Sequence, residues 1–218
     1  MKNVIKLPNT IGETIYQYLK KEIIQGRLKP KQRIIEREIS KLFNVSSTPV
    51  REALYRLAAE KYLVFNARRE VLVQETNLAE VKELYEIVRV LDKLAFEKFF
   101  ENIRDKDINE LKAMTVKLGE YYKKNNINLY LKQNLRIHQK IWKKSKRKYL
   151  QETLAQLMEK ISIFRKYVSP FSEPLSIEKS YKDHLKLMKA IENRNIDSIQ
   201  KIISSHWGEE FYIYEKDQ

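Results

Sequence analysis

Only four glycines and five prolines interrupt a chain of 218 residues. Tight turns and helix breaks are built mainly from these two residue types, so a chain this poor in them favours long helices joined by few sharp bends. Hydrophobic residues make up 43% of the chain, enough to supply a packed core. The length suits one large domain or two modest ones. Cysteine is absent, which excludes disulfides and thiolate metal sites and fits a reducing cytoplasm. The N-terminal MKNVIKLPNTIGE has no apolar run of the signal-peptide kind, and no stretch approaches about 18 consecutive apolar residues. The expectation is a cytoplasmic chain with no membrane span.

Residues 11–25, IGETIYQYLKKEIIQ, place Ile11, Ile15, Tyr18, Leu19, Glu22 and Ile23 at three- and four-residue steps, one apolar helical face with a polar interruption that Gly26 can terminate. The turn GRLKPKQR leads to a second helix near Ile35–Phe43, with Ile39 and Leu42 facing inward and Asn44 closing it in a left-handed cap. Then comes VSSTPVREAL at 45–54. Ser46 or Ser47 can accept from the unpaired N–H groups of a helix start, and Pro49 lacks an N–H where none is needed. The helix runs Val50–Lys61 and buries Val50, Leu54, Leu57 and Ala58. Short hydroxyls and an arginine at its exposed end suit phosphate and base edges. Two helices joined this way make a helix-turn-helix. YLVF (62–65) and VLVQ (71–74) read as a hairpin around NARRE, a wing tipped by Arg68 and Arg69.

Charge supports a nucleic-acid partner. The net charge is +14, and residues 1–75 hold 15 Lys/Arg against 8 Asp/Glu. That stretch carries half the excess on about a third of the length, so a polyanion such as DNA is a natural partner for it.

Glu75-Thr76-Asn77 forms a break, and Asn77 with Glu80 reads as a capping box before LAEVKELYEIVRVLDKLAFEKFF. Further helices are expected from Asp105 or Asp107 to about Tyr122, over 128–144, 149–167, 177–192, and 197–214 with Asp197 as cap. VSPFSEPLS is a proline-containing connection. The division is 1–75, a winged helix-turn-helix domain, and 76–218, an all-α helical bundle for effector binding and dimerisation; the fold class is mainly α. No phosphate-binding loop or dinucleotide fingerprint occurs.

Three histidines exist: His138, His184 and His206. His184 and His206 lie about equally far from the turn between their helices, so an antiparallel hairpin sets them at one height at about 1.5 Å per residue. Asn134 and His138 are four apart and share a helix face. The histidines are either unrelated or, if that helix packs on the pair, three imidazoles and an amide oxygen converge as a metal site.

GRLKPKQRIIEREISKLFNVSSTPVREALYRLAAEKYLVFNARREVLV closely resembles the winged helix-turn-helix of GntR-type bacterial transcription regulators, with TPVREAL at 48–54 intact. The resemblance implies that Arg37, Ser46, Ser47, Thr48 and Arg51 face DNA, with Arg68 and Arg69 on the wing. Three departures stand out. Lys31 replaces a turn glycine, Ser47 replaces an arginine and alters operator preference, and Glu70 stands at the wing glycine. Residues 78–215 look like the FCD effector domain of the FadR subfamily, whose metal-binding members use a D-x-x-x-H pair and two later histidines. NLRIH (134–138), KDH (182–184) and SSHW (204–207) fall on those positions, with Asn134 in place of the acidic ligand. The implied ligand set is Asn134, His138, His184 and His206, holding a divalent transition metal, zinc or nickel. Val88 sits where an arginine is common, and SKR (145–147) replaces S-G-N. Arg136, Lys140, Arg165 and Lys189 are available to pair a carboxylate effector. Tyr130 and Tyr181 are pocket walls or plain packing.

The leading expectation is therefore a metabolite-responsive repressor that binds a palindromic operator in double-stranded DNA as a homodimer. One alternative is a DNA-binding regulator whose C-terminal domain only dimerises. The other is a metal-dependent hydrolase, which lacks an evident general base because Asp183 is expected on a different helix face from His184.

Overall fold

In this computed structural model the described residues are 10–168 and 173–207. The chain divides into two compact units, Met1–Asn77 and Leu78–Gln218.

The first unit contains helices α1 (Ile11–Ile24), α2 (Glu36–Phe43) and α3 (Ser47–Ala59), and strands β1 (Arg33–Ile34), β2 (Leu63–Phe65) and β3 (Val71–Val73). The strands form one antiparallel sheet in the order β1-β3-β2, with Ile34 opposite Val71 and Leu63 opposite Val73. Helix α1 starts because the Thr10 hydroxyl accepts from Glu13 N, and the chain leaves it through Gly26 at φ 75°. It buries Gly12, Ile15, Tyr16, Leu19 and Ile23 against α3, which buries Val50, Ala53, Leu54 and Leu57. Each of these larger side chains contributes about 1.5–3 kcal/mol through removal from water. The expected face is turned slightly. Tyr16, not Tyr18, is buried, because its hydroxyl donates to Glu60 at 2.7 Å and Arg56 lies 3.8 Å over its ring. Leu42, expected inside, is 62% exposed.

Helix α3 begins at Ser47, three residues before the expected Val50, and Ser46 occupies the N-cap without a side-chain capping bond. Strand β1 was not anticipated; two residues carry no alternation to read. Left-handed Asn44 ends α2 as expected, at φ 52°.

The second unit is all-helical among its described residues: α4 (Leu78–Phe100), α5 (Asp105–Lys123), α6 (Ile127–Lys144), α7 (Lys148–Val168), α8 (Glu173–Glu192) and α9 (Ile196–His206). Helix α4 packs on α6, α7 and α9, while α5 packs on α6 and α8, and α8 on α9. Phe96, Phe99, Leu111, Leu118, Tyr130 and Trp142 lie at the centre of the core. Gly119 on α5 is required by Tyr181 of α8, because a Cβ there would sit 2.5 Å from the phenol oxygen. The cap of α9 is Asn195, whose side chain accepts from Ser198 N at 2.9 Å; Asp197, the expected cap, lies inside the first turn. Helix α8 starts at Glu173, earlier than the expected 177. Residues 169–172 of the expected connection, and 208–214 of the expected last helix, lie outside the described residues.

With so few glycines, the left-handed positions at turns and helix ends fall to other residues. Lys31 (φ 64°), Lys61 (61°), Arg69 (59°), Asn125 (48°), Lys146 (57°) and Arg194 (51°) adopt them. Lys31 and Lys146 are the positions at which the sequence comparison expects glycine.

Candidate functional site

The expected DNA-facing residues of the first unit are all exposed. Ser46, Ser47, Thr48 and Arg51 are exposed around the start of α3, and Arg37 is exposed on α2. The β2–β3 hairpin is closed by Asn66, whose Oδ1 accepts from Arg68 N and Glu70 N, both at 2.9 Å. Arg68 and Arg69 are exposed at its tip. The left-handed residue of the wing is Arg69, not Glu70. Glu70 is instead occupied: its carboxylate takes Arg33 at 2.8 Å and Asn66 Nδ2 at 2.7 Å, so its charge is locally balanced. One partner escaped the sequence reading. Glu36 accepts from Arg51 Nε through both carboxylate oxygens, each at 2.9 Å.

The second unit brings all three histidines together. His138 comes from α6, His184 from α8, and His206 is the last residue of α9. A ligand atom from each lies within 4.8 Å of the others, and all three rings are buried. His138 Nε2 and His206 Nε2 are 3.2 Å apart. The outward nitrogens each meet an oxygen. His138 Nδ1 stands 3.1 Å from Asp92 Oδ2, His206 Nδ1 3.5 Å from Asp183 Oδ2, and His184 Nδ1 donates to Ser180 O at 2.8 Å. At His184 the Nδ1–H directed at an oxygen fixes the tautomer and leaves the Nε2 lone pair for the cluster's interior, while at the other two rings a carboxylate stands near Nδ1 without a hydrogen bond. Four buried atoms of these residues have no hydrogen-bond partner among the described residues: His138 Nδ1, His206 Nδ1, His184 Nε2 and, on α6 four residues before His138, Asn134 Oδ1. Unpaired buried acceptors are costly, and a cation held by the three histidines would satisfy His184 Nε2. The three imidazoles fit a divalent transition metal.

Asp92 is wholly buried on α4 and accepts from both indoles, Trp142 Nε1 at 2.6 Å and Trp207 Nε1 at 2.8 Å. Burial pushes its carboxyl up, but His138 and the two indoles outweigh this and hold it below the usual carboxylate range. Burial holds His184 well below the ordinary imidazole value, and neighbouring His206 and His138 add to the effect. Burial likewise lowers His206, against the opposing pull of Asp183. His184 and His206 are thus kept neutral near pH 7, the form that binds metal. Asp183 is turned toward His206 because α9 packs on α8; the expectation that no carboxylate accompanies the histidines is corrected. Both carboxylates face the Nδ1 edges.

Beside the histidines lies a hollow lined by Phe96, Leu111, Thr115, Ile137, Ile141, Leu187, Met188 and Ile191, with room for about one water molecule. Its walls are almost wholly apolar. Arg136 and Lys189 are exposed elsewhere, Lys140 is paired with Glu110, and Arg165 lies 5.7 Å over the Tyr85 ring. None of these four lines the hollow. Val88 is in the core, and Arg89 donates to Ser204 O at 3.4 Å. Tyr130 donates to Ser180 Oγ at 3.0 Å and Tyr181 stacks on Tyr122; neither is among the lining residues.

A winged helix-turn-helix joined to a helical domain with a buried histidine cluster is the build of a DNA-binding transcription regulator. Residues 11–73 match the model of the bacterial regulatory proteins of the gntR family, and residues 83–209 match the FCD domain. The chain belongs to the GntR family, with an FCD effector domain in the manner of the FadR subfamily. It is 25% identical over 177 residues to the transcriptional regulator McbR of Escherichia coli K12, covering 81% of this chain and 80% of that one. It is 24% identical over 197 residues to the regulator YdhC of Bacillus subtilis 168, covering 88% and 86%. Among solved structures, E. coli McbR/YncC superposes with a TM-score of 0.74 at 21% identity over 96% of this chain and 99% of that one. A GntR regulator from Rhodococcus sp. RHA1 gives 0.67 at 16%, covering 94% and 95%. Domains and relatives alike are those of transcription regulators, not enzymes. No helix among the described residues is long and apolar enough to cross a membrane.

Proposed function

We propose that this regulator is a cytoplasmic repressor that binds a palindromic operator as a homodimer and responds to a small organic acid through a metal held by His138, His184, His206 and Asn134. The observation that carries the metal reading is the meeting of three buried imidazoles with ligand atoms within 4.8 Å of one another, His184 Nε2 unpartnered and an oxygen near each Nδ1; Asn134, whose oxygen is also unpartnered, stands four residues before His138 on the same helix. The bound ion, zinc or nickel, supplies a Lewis acid able to hold a carboxylate. The protein's own residues orient the rings, keep them neutral and exclude bulk water. The repressor reading is supported by relatives such as RspR of E. coli, which is named a repressor. Arg37, Ser46, Ser47, Thr48, Arg51, Arg68 and Arg69 form the DNA face.

Because no cation lines the hollow, the metal carries the effector's charge in this reading, and the rest of the effector meets aliphatic walls. Metal analysis of protein purified without a histidine tag tests the site. About one equivalent of ion per chain is expected; a metal-free sample that also fails to take up zinc or nickel rejects it. The tightness of the hollow favours a second reading, in which the helical domain binds no effector and only dimerises. Thermal shift of metal-loaded protein against small acids separates the two, since a true effector stabilises its binding state.

A further inference from the structure

Arg51 projects from the second turn of α3 and is 61% exposed at its side chain, yet it is not loose. Its Nε donates to both oxygens of Glu36, at 2.9 Å each. The carboxylate therefore holds the inner edge of the guanidinium. No partner of its terminal Nη1 and Nη2 is found among the described residues. Those two nitrogens are the pair that can meet guanine O6 and N7 end-on. Glu36 is itself the first residue of α2, where a carboxylate is favoured by the unpaired N–H groups and the positive end of the helix. It is half-buried, more enclosed than the arginine it holds.

We propose that Glu36 is a specificity-determining positioning residue: it fixes the Arg51 guanidinium so that its terminal nitrogens are presented to a guanine in the major groove. This rests on reading Arg51 as a base-contacting residue. The reason lies in the balance of charge. A carboxylate near DNA opposes phosphate and lowers sequence-independent affinity. What it gives in return is direction, since a free arginine can swing to the nearest phosphate and carry no sequence information.

The test is selection of the full-length protein on a random-sequence duplex library, followed by measurement of binding to the selected site and to each base replacement at one half-site. For Glu36→Gln, preference for one guanine per half-site is expected to fall by about tenfold, with the other positions unchanged and binding to unrelated DNA equal or tighter. Glu38→Gln, in the same first turn, is the control and is expected to leave the selected site unaltered. Arg51→Ala should erase the same guanine, and adding Glu36→Gln to it should change base preference no further, whatever it does to sequence-independent affinity. A Glu36→Gln protein that keeps its guanine preference within about twofold overturns the proposal, as does a Glu36→Gln effect on base preference that persists without Arg51. If Arg51→Ala leaves every position unaffected, the reading of Arg51 itself fails, a distinguishable result. Should Glu36→Gln fail to melt like the wild type, Glu36→Asp serves instead: it keeps the charge but shortens the reach, and it too should weaken the guanine preference alone.

Discussion

At the scale of single residues, Asp92 shows how much of the site lies behind the ligands. Its two oxygens meet one imidazole and two indoles. Replacement by Asn leaves one acceptor oxygen for two indole donors and removes the charge that faces His138 Nδ1. Loss of such a partner costs about 10–100-fold in metal affinity, so Asp92→Asn should bind zinc weaker by that factor in competition with a chromogenic chelator. The three histidines were legible in the sequence because helix rise and chain position set two of them at one height. Asp92 was not legible. It lies 46 residues before its partner on another helix, and only the packing of α4 against α6 and α9 brings it there. Asp183 misled for the same reason. Its position on its own helix points away from His184, but the neighbouring helix delivers His206 to it. Glu36 is a third case, 15 residues from the arginine it holds.

At the scale of elements, helix ends decide much of what single substitutions would do. Asp107 in the first turn of α5 accepts from Arg104 N at 3.1 Å and pairs with Lys144 at 2.7 Å. Burial alone would raise its carboxyl, but these partners win and hold it below its ordinary value of 3.8. A carboxyl depressed on folding stabilises above its unfolded value and loses that contribution as pH falls through the folded one. Asp107→Asn should therefore cost about 1 kcal/mol at pH 7, the size of a capping interaction. The gap between the two urea midpoints should close progressively below about pH 4. The left-handed lysines point the other way. A side chain at such a φ costs about 1–2 kcal/mol, partly offset by the entropy a glycine loses on folding. Lys31→Gly and Lys146→Gly are each expected to raise stability by about 0.5–1 kcal/mol in chemical denaturation. Helices of this length were readable from their apolar spacing, whereas starts shifted by one to four residues: propensity marks a helix, but the partner of its first free N–H marks its start.

At the scale of the whole molecule, the two compact units assign different duties to separate cores. His184→Ala is expected to abolish metal uptake while leaving affinity for DNA within about twofold. A titration of each variant with zinc and with labelled DNA checks this. In calorimetry, metal at about a hundredfold excess over its Kd should add about 2.7 kcal/mol to the unit that holds it. Any second transition, from the winged unit, should stay in place. The sequence motifs made both units legible because each motif is local, TPVREAL within one turn-and-helix and N-x-x-x-H on one helix face. The interior hollow was illegible, since its walls come from α4, α5, α6 and α8 at once.

The chain has only two tryptophans, and both indoles donate to the carboxylate behind His138. Its ultraviolet emission is thus wired to one event. Capture of a cation by that imidazole would polarise the shared carboxylate and alter both fluorophores together, giving the protein a built-in optical gauge of ion loading that needs no dye.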